Sequence, residues 1–204
     1  MNVPNTLSVL RLLLIPVFCW SFLMSSQDSM YYYIAGAALV LSALSDLLDG
    51  FFARILNQIT EIGKLLDPIA DKLTLGAVVV CMWIRFGTQI PILNVLFALL
   101  LLKELVMAIG GIIVFRGRRQ VFPARWWGKI GTAGFYACMM GVMIVSIFFS
   151  DYQYSTAIII GLVALSVVLM LFAFVRYFIL GLKLIKKEDE TENSDKTESA
   201  QDIA

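Results

Sequence analysis

Apolar residues along the chain collect into six long runs separated by short polar breaks: Thr6 to Met24, Tyr31 to Phe52, Asp67 to Phe86, Pro91 to Phe115, Gly128 to Phe149 and Thr156 to Leu184. Each exceeds the roughly 18 residues that mark a candidate membrane helix, since about 30 Å of helix crosses a hydrocarbon core. The pattern predicts an all-α integral membrane protein, a bundle of six transmembrane helices. Composition agrees: of 204 residues, 60% are hydrophobic and 15% charged, and the mean hydropathy of +0.85 excludes an ordinary soluble domain. The opening "MNVPNTLSVLR" lacks the basic start and small-residue cleavage site of a signal peptide, so the first run is expected to be retained.

Charge divides the chain in two. The stretch from Glu188 to Ala204 holds seven of the 15 acidic residues and one of the 16 basic ones. Its polar, aromatic-free composition predicts a disordered acidic tail, 188–204, following a membrane domain, 1–187. That domain keeps 15 basic against 8 acidic residues, a net charge of +7. The breaks "SSQDS" and "SDYQYS" have no Lys or Arg, and the break after the third run contributes only Arg85. The alternate side carries Arg54, Lys64 and Lys72, then Arg116, Arg118, Arg119, Arg125 and Lys129, then Lys183, Lys186 and Lys187. This asymmetry places both termini in the cytoplasm. Cys19, Cys81 and Cys138 fall in three different runs without ligand spacing, which supports neither a zinc site nor a disulfide framework.

Four of the eight acidic residues outside the tail, Asp46, Asp49, Asp67 and Asp71, sit within 26 positions at the ends of two apolar runs. A carboxylate at membrane depth costs about 2.5 kcal/mol or more, so such a concentration points to function. Asp46 and Asp49 stand i, i+3, and Asp67 and Asp71 i, i+4, so each pair shares a helix face. Four carboxylates around one small volume repel unless cations sit among them. Oxygen ligands in a chain without His point to a hard divalent ion such as Mg²⁺, Mn²⁺ or Ca²⁺. Gly50, Ala53 and Gly63 remove side-chain bulk nearby, which permits either close helix packing or close approach of a bulky ligand. Arg54 is suited to phosphate oxygens. An ion pathway through a cation transporter would explain buried carboxylates, but not Arg54, the glycines and the spacing together.

The segments "DLLDGFFAR", "ILNQITEI" and "GKLLDPIAD" resemble the signature of the CDP-alcohol phosphatidyltransferase family: two Asp three apart, Gly, Ala-Arg, an eight-residue gap, Gly, and two Asp four apart. All eight fixed positions match. The resemblance implies a cytoplasm-facing polar active-site cavity in a six-span bundle of a bacterial cell membrane. It implies two ions, Mg²⁺ or Mn²⁺, held by Asp46, Asp49, Asp67 and Asp71, with Asp71 also the general base. Gly50, Ala53, Arg54 and Gly63 would bind the CDP moiety of CDP-diacylglycerol. It further implies a homodimer among membrane lipids, and nothing points to nucleic acid.

The opening "NVPNTLSVLRLLLIP", with Arg11, and "ARILNQIT" look most like the branch whose acceptor is glycerol 3-phosphate and a related branch whose acceptor is phosphatidylglycerol. "KEL", Lys103 to Leu105, stands where that branch has a basic-acidic pair, either an interhelical bridge or part of a polar cavity. The loop "FRGRRQVFPARWWGKIGT" carries basic residues, most of which read as attraction to anionic headgroups. Lys129 is assigned to the acceptor phosphate, with Arg176 and Lys103 as weaker candidates; Arg176 alternatively snorkels to the interface. Glycerophosphate-using members typically carry Arg eight positions after the basic residue of the pair. Here that position is Gly111, which keeps phosphatidylglycerol as the alternative acceptor behind glycerol 3-phosphate.

Overall fold

The computed structural model describes the backbone of residues 3–55, 61–117, 126–149 and 152–201. Within these ranges the side chains of 3–5, 47, 49–55, 61–68, 111–117, 126–127 and 181–201 lie outside the described set. The described residues form six helices: α1 (Val3–Met24), α2 (Met30–Ile55), α3 (Glu61–Phe86), α4 (Ile92–Gly117), α5 (Trp126–Phe148) and α6 (Ser155–Gln201). Each apolar run of the sequence lies on one of them. α6 carries its helical backbone through the acidic stretch to Gln201, where composition alone suggests a disordered segment.

Short connections force neighbours to alternate in direction. The N-terminal ends of α1, α3 and α5 therefore share one end of the bundle with the C-terminal halves of α2, α4 and α6. Met30 N donates to Asp28 Oδ1 (2.9 Å), which caps the start of α2. At the turn between α3 and α4, Trp83 Nε1 donates to Asn94 Oδ1 (2.6 Å) and Asn94 Nδ2 donates to the Gly87 carbonyl (3.0 Å). A Cβ on Gly87 would lie 2.4 Å from Asn94 Oδ1 and 2.7 Å from the Trp83 carbonyl oxygen, so this knot requires glycine.

The principal contacts close a ring in the order α1, α2, α5, α6, α4, α3 and back to α1. Aromatic packing joins three members at one end: Phe22 of α1 stacks on Phe18 (centroids 5.5 Å apart), meets Tyr32 of α2 edge-on (6.0 Å) and touches Phe86 of α3 (6.4 Å). Cys19 of α1 and Cys81 of α3 lie side by side as free thiols. α5 and α6 meet along a seam of glycines. A Cβ on Gly131 would stand 3.1 Å from Ala173 Cβ, and one on Gly134 would stand 2.5 Å from Leu169 Cδ1. Small residues thus let two helices approach closely where no hydrophobic driving force separates core from lipid.

The outer surface is as apolar as the core. Leu13 is 62% exposed, Trp20 66% and Val168 62%, whereas Phe22, Phe97 and Phe135 are fully buried. Four segments, Thr6–Met24, Ile92–Gly110, Gly128–Phe148 and Ser155–Leu180, are long and apolar enough to cross a membrane among the described residues. An apolar exterior of this extent suits lipid rather than water.

Candidate functional site

The ring gathers its buried charges at the end shared by the start of α1 and the close of α2. Arg11, one of the largest fully buried side chains, extends its guanidinium to Asp46 of α2, with Nη1 2.9 Å from Oδ1. The opposite charge offsets the penalty of removing both ions from water. Asp46 keeps about a third of its side chain exposed, so it faces both Arg11 and open space.

Asp71 enters the same neighbourhood from α3. Its charged surroundings comprise Lys72, Asp46, Arg11 and Glu104. Asp71 Oδ1 is sealed from solvent and has no hydrogen-bond partner among the described residues. Beside it, Lys72 Nζ donates to Glu104 Oε2 across the α3–α4 contact (2.8 Å), and Lys103 Nζ donates to Glu104 Oε1. Lys103 Nζ also lies 3.5 Å from Met170 Sδ of α6. Glu104 of the "KEL" pair thus bridges two helices: one buried glutamate holds two ammonium groups, Lys72 of α3 and Lys103 of α4, in the neighbourhood of Asp71.

Asp49, Gly50, Ala53 and Arg54 lie on the last turns of α2, and Gly63 and Asp67 on the first turns of α3. Their side chains are outside the described set, as are Gln120 and the loop residues Arg118, Arg119 and Arg125. Gly111 falls on α4, also without a described surrounding. Among the described residues no group of three or more His, Cys, Asp or Glu gathers as metal ligands. Two described carboxylates do share one neighbourhood, and the buried, unpartnered Asp71 oxygen is a ready ligand for a hard cation. The all-oxygen donor set fits the ion that the sequence predicts.

Lys129 is exposed on the first turn of α5, and Arg176 is exposed on α6. A Cβ on Gly128 would lie 2.5 Å from Tyr177 Oη, so Gly128 and Tyr177, the neighbours of Lys129 and Arg176, touch. The two basic residues therefore stand at the same level of adjoining helices. Sequence reasoning left Arg11 without a role, did not pair Lys72 with Glu104, and passed over Ser42 and Tyr136. The available signal for the first was cost: a fully buried Arg demands a carboxylate partner, and only eight exist outside the tail.

A ring of apolar-surfaced helices, four of them with segments long and apolar enough to cross a membrane, with buried charges gathered at one end, is the architecture of a membrane protein. Residues 1–175 match the profile of the family described as CDP-alcohol phosphatidyltransferase. The chain belongs to the CDP-alcohol phosphatidyltransferase family and is a phosphatidyltransferase; members of this family generally depend on a divalent metal. It is 34% identical over 189 residues to a protein of Aquifex aeolicus named CDP-diacylglycerol--glycerol-3-phosphate 3-phosphatidyltransferase, covering 92% of this chain and 100% of the relative. A Bacillus subtilis protein of the same name is 30% identical over 141 residues, 64% of this chain and 70% of its own. One from Pseudomonas fluorescens is 44% identical over 80 residues, 39% and 40% of the two chains.

Proposed function

We propose that this phosphatidyltransferase acts in phospholipid biosynthesis, moving the phosphatidyl group of CDP-diacylglycerol to glycerol 3-phosphate and giving phosphatidylglycerophosphate and CMP. The single observation that carries the acceptor is the end-to-end similarity to the Aquifex aeolicus protein named for that reaction. Asp46, Asp49, Asp67 and Asp71 are the residues that would hold the divalent metal, Mg²⁺ or Mn²⁺, as two ions. When bound, it would supply positive charge that polarises the diphosphate and stabilises departing CMP.

The residues divide the remaining work. Gly50, Ala53, Arg54 and Gly63 cradle the CDP portion, with Arg54 on phosphate oxygens. Asp71 takes the proton of the acceptor hydroxyl as its oxygen attacks the lipid-side phosphorus. The new P–O bond forms while the bond to CMP breaks, and CMP leaves with the electron pair. Lys129, with Arg176 and Lys103 in support, receives the acceptor phosphate. In a chain without His, a carboxylate is the natural base.

The active cavity opens to the cytoplasm at the end bearing Arg11 and Lys129, in a six-span domain, 1–187, of a bacterial membrane. Both termini and the acidic segment 188–204 lie on that side, and the working unit is a homodimer. The glycine at position 111 favours a second acceptor, phosphatidylglycerol, with cardiolipin as product. Purified protein given CDP-diacylglycerol, Mg²⁺ or Mn²⁺ and a panel of acceptors decides between them. Mass spectrometry should detect CMP and phosphatidylglycerophosphate with glycerol 3-phosphate; cardiolipin formed only with phosphatidylglycerol overturns the first reading.

A further inference from the structure

Two buried hydroxyls face each other where α2 meets α5. Tyr136 is 7% exposed and Ser42 3%. Tyr136 has Ser42 beside it, and Asp71, Asp46 and Arg11 are its charged neighbours. Neither Tyr136 Oη nor Ser42 Oγ completes a hydrogen bond of normal geometry among the described residues.

Ser42 departs from the habit of its neighbours in this fold. Ser45 Oγ donates to the Leu41 carbonyl, Thr74 Oγ1 to Ala70 and Ser146 Oγ to Val142, each four residues back along its own helix. A hydroxyl at membrane depth normally disposes of its proton in this way. Ser42 is instead left for Tyr136. An unsatisfied buried hydroxyl is costly, and these two lie within charge-interaction range of an unpartnered carboxylate oxygen, so they form a set of complementary groups: a phenol donor, a serine supporting it and the Asp71 acceptor.

Helix geometry gives the set a direction. Tyr136 follows Lys129 by seven residues on α5, about 10 Å along the axis and within about 20° of the same face. α5 therefore presents a cation at the open end and a phenol two turns deeper, within charge-interaction range of the carboxylate assigned to remove a proton. An alcohol bearing a phosphate has these two ends in that order.

We infer that Tyr136, backed by Ser42, binds the reacting hydroxyl of the acceptor and holds it against Asp71. This rests on the reading of the site as a phosphatidyltransferase centre that uses a phosphorylated alcohol. The acceptor oxygen gives its proton to Asp71 and has two lone pairs. Tyr136 Oη–H donates to one, so that the other points at phosphorus. Tyr136 keeps its proton throughout; Ser42 Oγ–H donates to the phenol oxygen and turns the phenol proton toward the acceptor.

The test is Tyr136→Phe in the full chain, assayed with CDP-diacylglycerol and glycerol 3-phosphate varied separately. Loss of one hydrogen bond should lower kcat/KM for the acceptor about three- to tenfold while KM for CDP-diacylglycerol stays unchanged. Without CDP-diacylglycerol, where no turnover occurs, glycerol 3-phosphate should raise the unfolding temperature of wild type more than that of the variant. Unchanged acceptor kinetics, or equal losses toward both substrates, overturns the inference. If Tyr136→Phe does not fold, Ser42→Ala should shift acceptor kinetics alone and in the same direction; no shift overturns it. Should wild type release CMP with phosphatidylglycerol but not glycerol 3-phosphate, the acceptor reading fails by itself, and the same comparisons with phosphatidylglycerol decide the role of Tyr136.

Discussion

Arg11 Nη1 lies 2.9 Å from Asp46 Oδ1, tying the first helix to the first aspartate of the signature. The arginine is wholly buried, so the pair cannot be exchanged for hydration when one member is lost. Arg11→Ala is expected to destabilise the folded protein, by less than the roughly 3–5 kcal/mol of a fully buried pair because the stranded Asp46 keeps about a third of its side chain exposed. Thermal unfolding in detergent checks this. A variant as stable as wild type would mean that Asp46 finds another counter-charge.

Removal of divalent metal by a chelator should abolish CMP release, and Mg²⁺ or Mn²⁺ should restore it. Asp49→Asn and Asp67→Asn should each lose transfer at every metal concentration while remaining inserted and folded. Turnover by either variant in chelated buffer would count against carboxylate-held metal.

Lys129 is exposed on the opening turn of α5, where an ammonium can reach a small anion. Lys129→Ala should raise KM for glycerol 3-phosphate about tenfold or more, since charge-assisted hydrogen bonds are the stronger kind. Binding of CDP-diacylglycerol should change little. Parallel saturation curves for the two substrates separate these effects, and an unaltered acceptor curve removes Lys129 from the site.

The distribution of Lys and Arg sets an orientation that labelling can read. Cysteines introduced at Ser26 and Ser155 should react with an impermeant reagent in intact cells, and one at Gln120 only after permeabilisation. Reversed accessibility would put the nucleotide end on the outer face.

Helix number and approximate limits were legible because hydrocarbon imposes a minimum length on a spanning segment. The second run, Tyr31 to Phe52, lies inside α2, Met30–Ile55. Packing order was not legible. In water an apolar side chain marks the core, but here Leu13 faces outward and Phe22 inward from the same helix, and nothing in their chemistry separates them. Costly charge at lipid depth and distinctive spacing singled out the aspartates and Arg54 in the sequence; of these, Asp46 and Asp71 are the described side chains, and they share one neighbourhood. The bridge from Lys72 to Glu104 was hidden by a sequence separation of 32 residues. Ser42 and Tyr136 were hidden because each alone is an ordinary helical residue, and only the ring brings them together.

The knot of Trp83, Gly87 and Asn94 bears on the chemistry from a distance. Asp71 stands some 20 Å up the same helix, counting about 1.5 Å for each residue. α3 and α4 are therefore tied at two levels, by this knot at the turn and by the Lys72–Glu104 bridge beside Asp71. Asn94 thus shares with Glu104 the work of fixing the angle between the helix that carries Asp71 and the helix that carries Lys103. Two ties so far apart leave this pair of helices little room to splay.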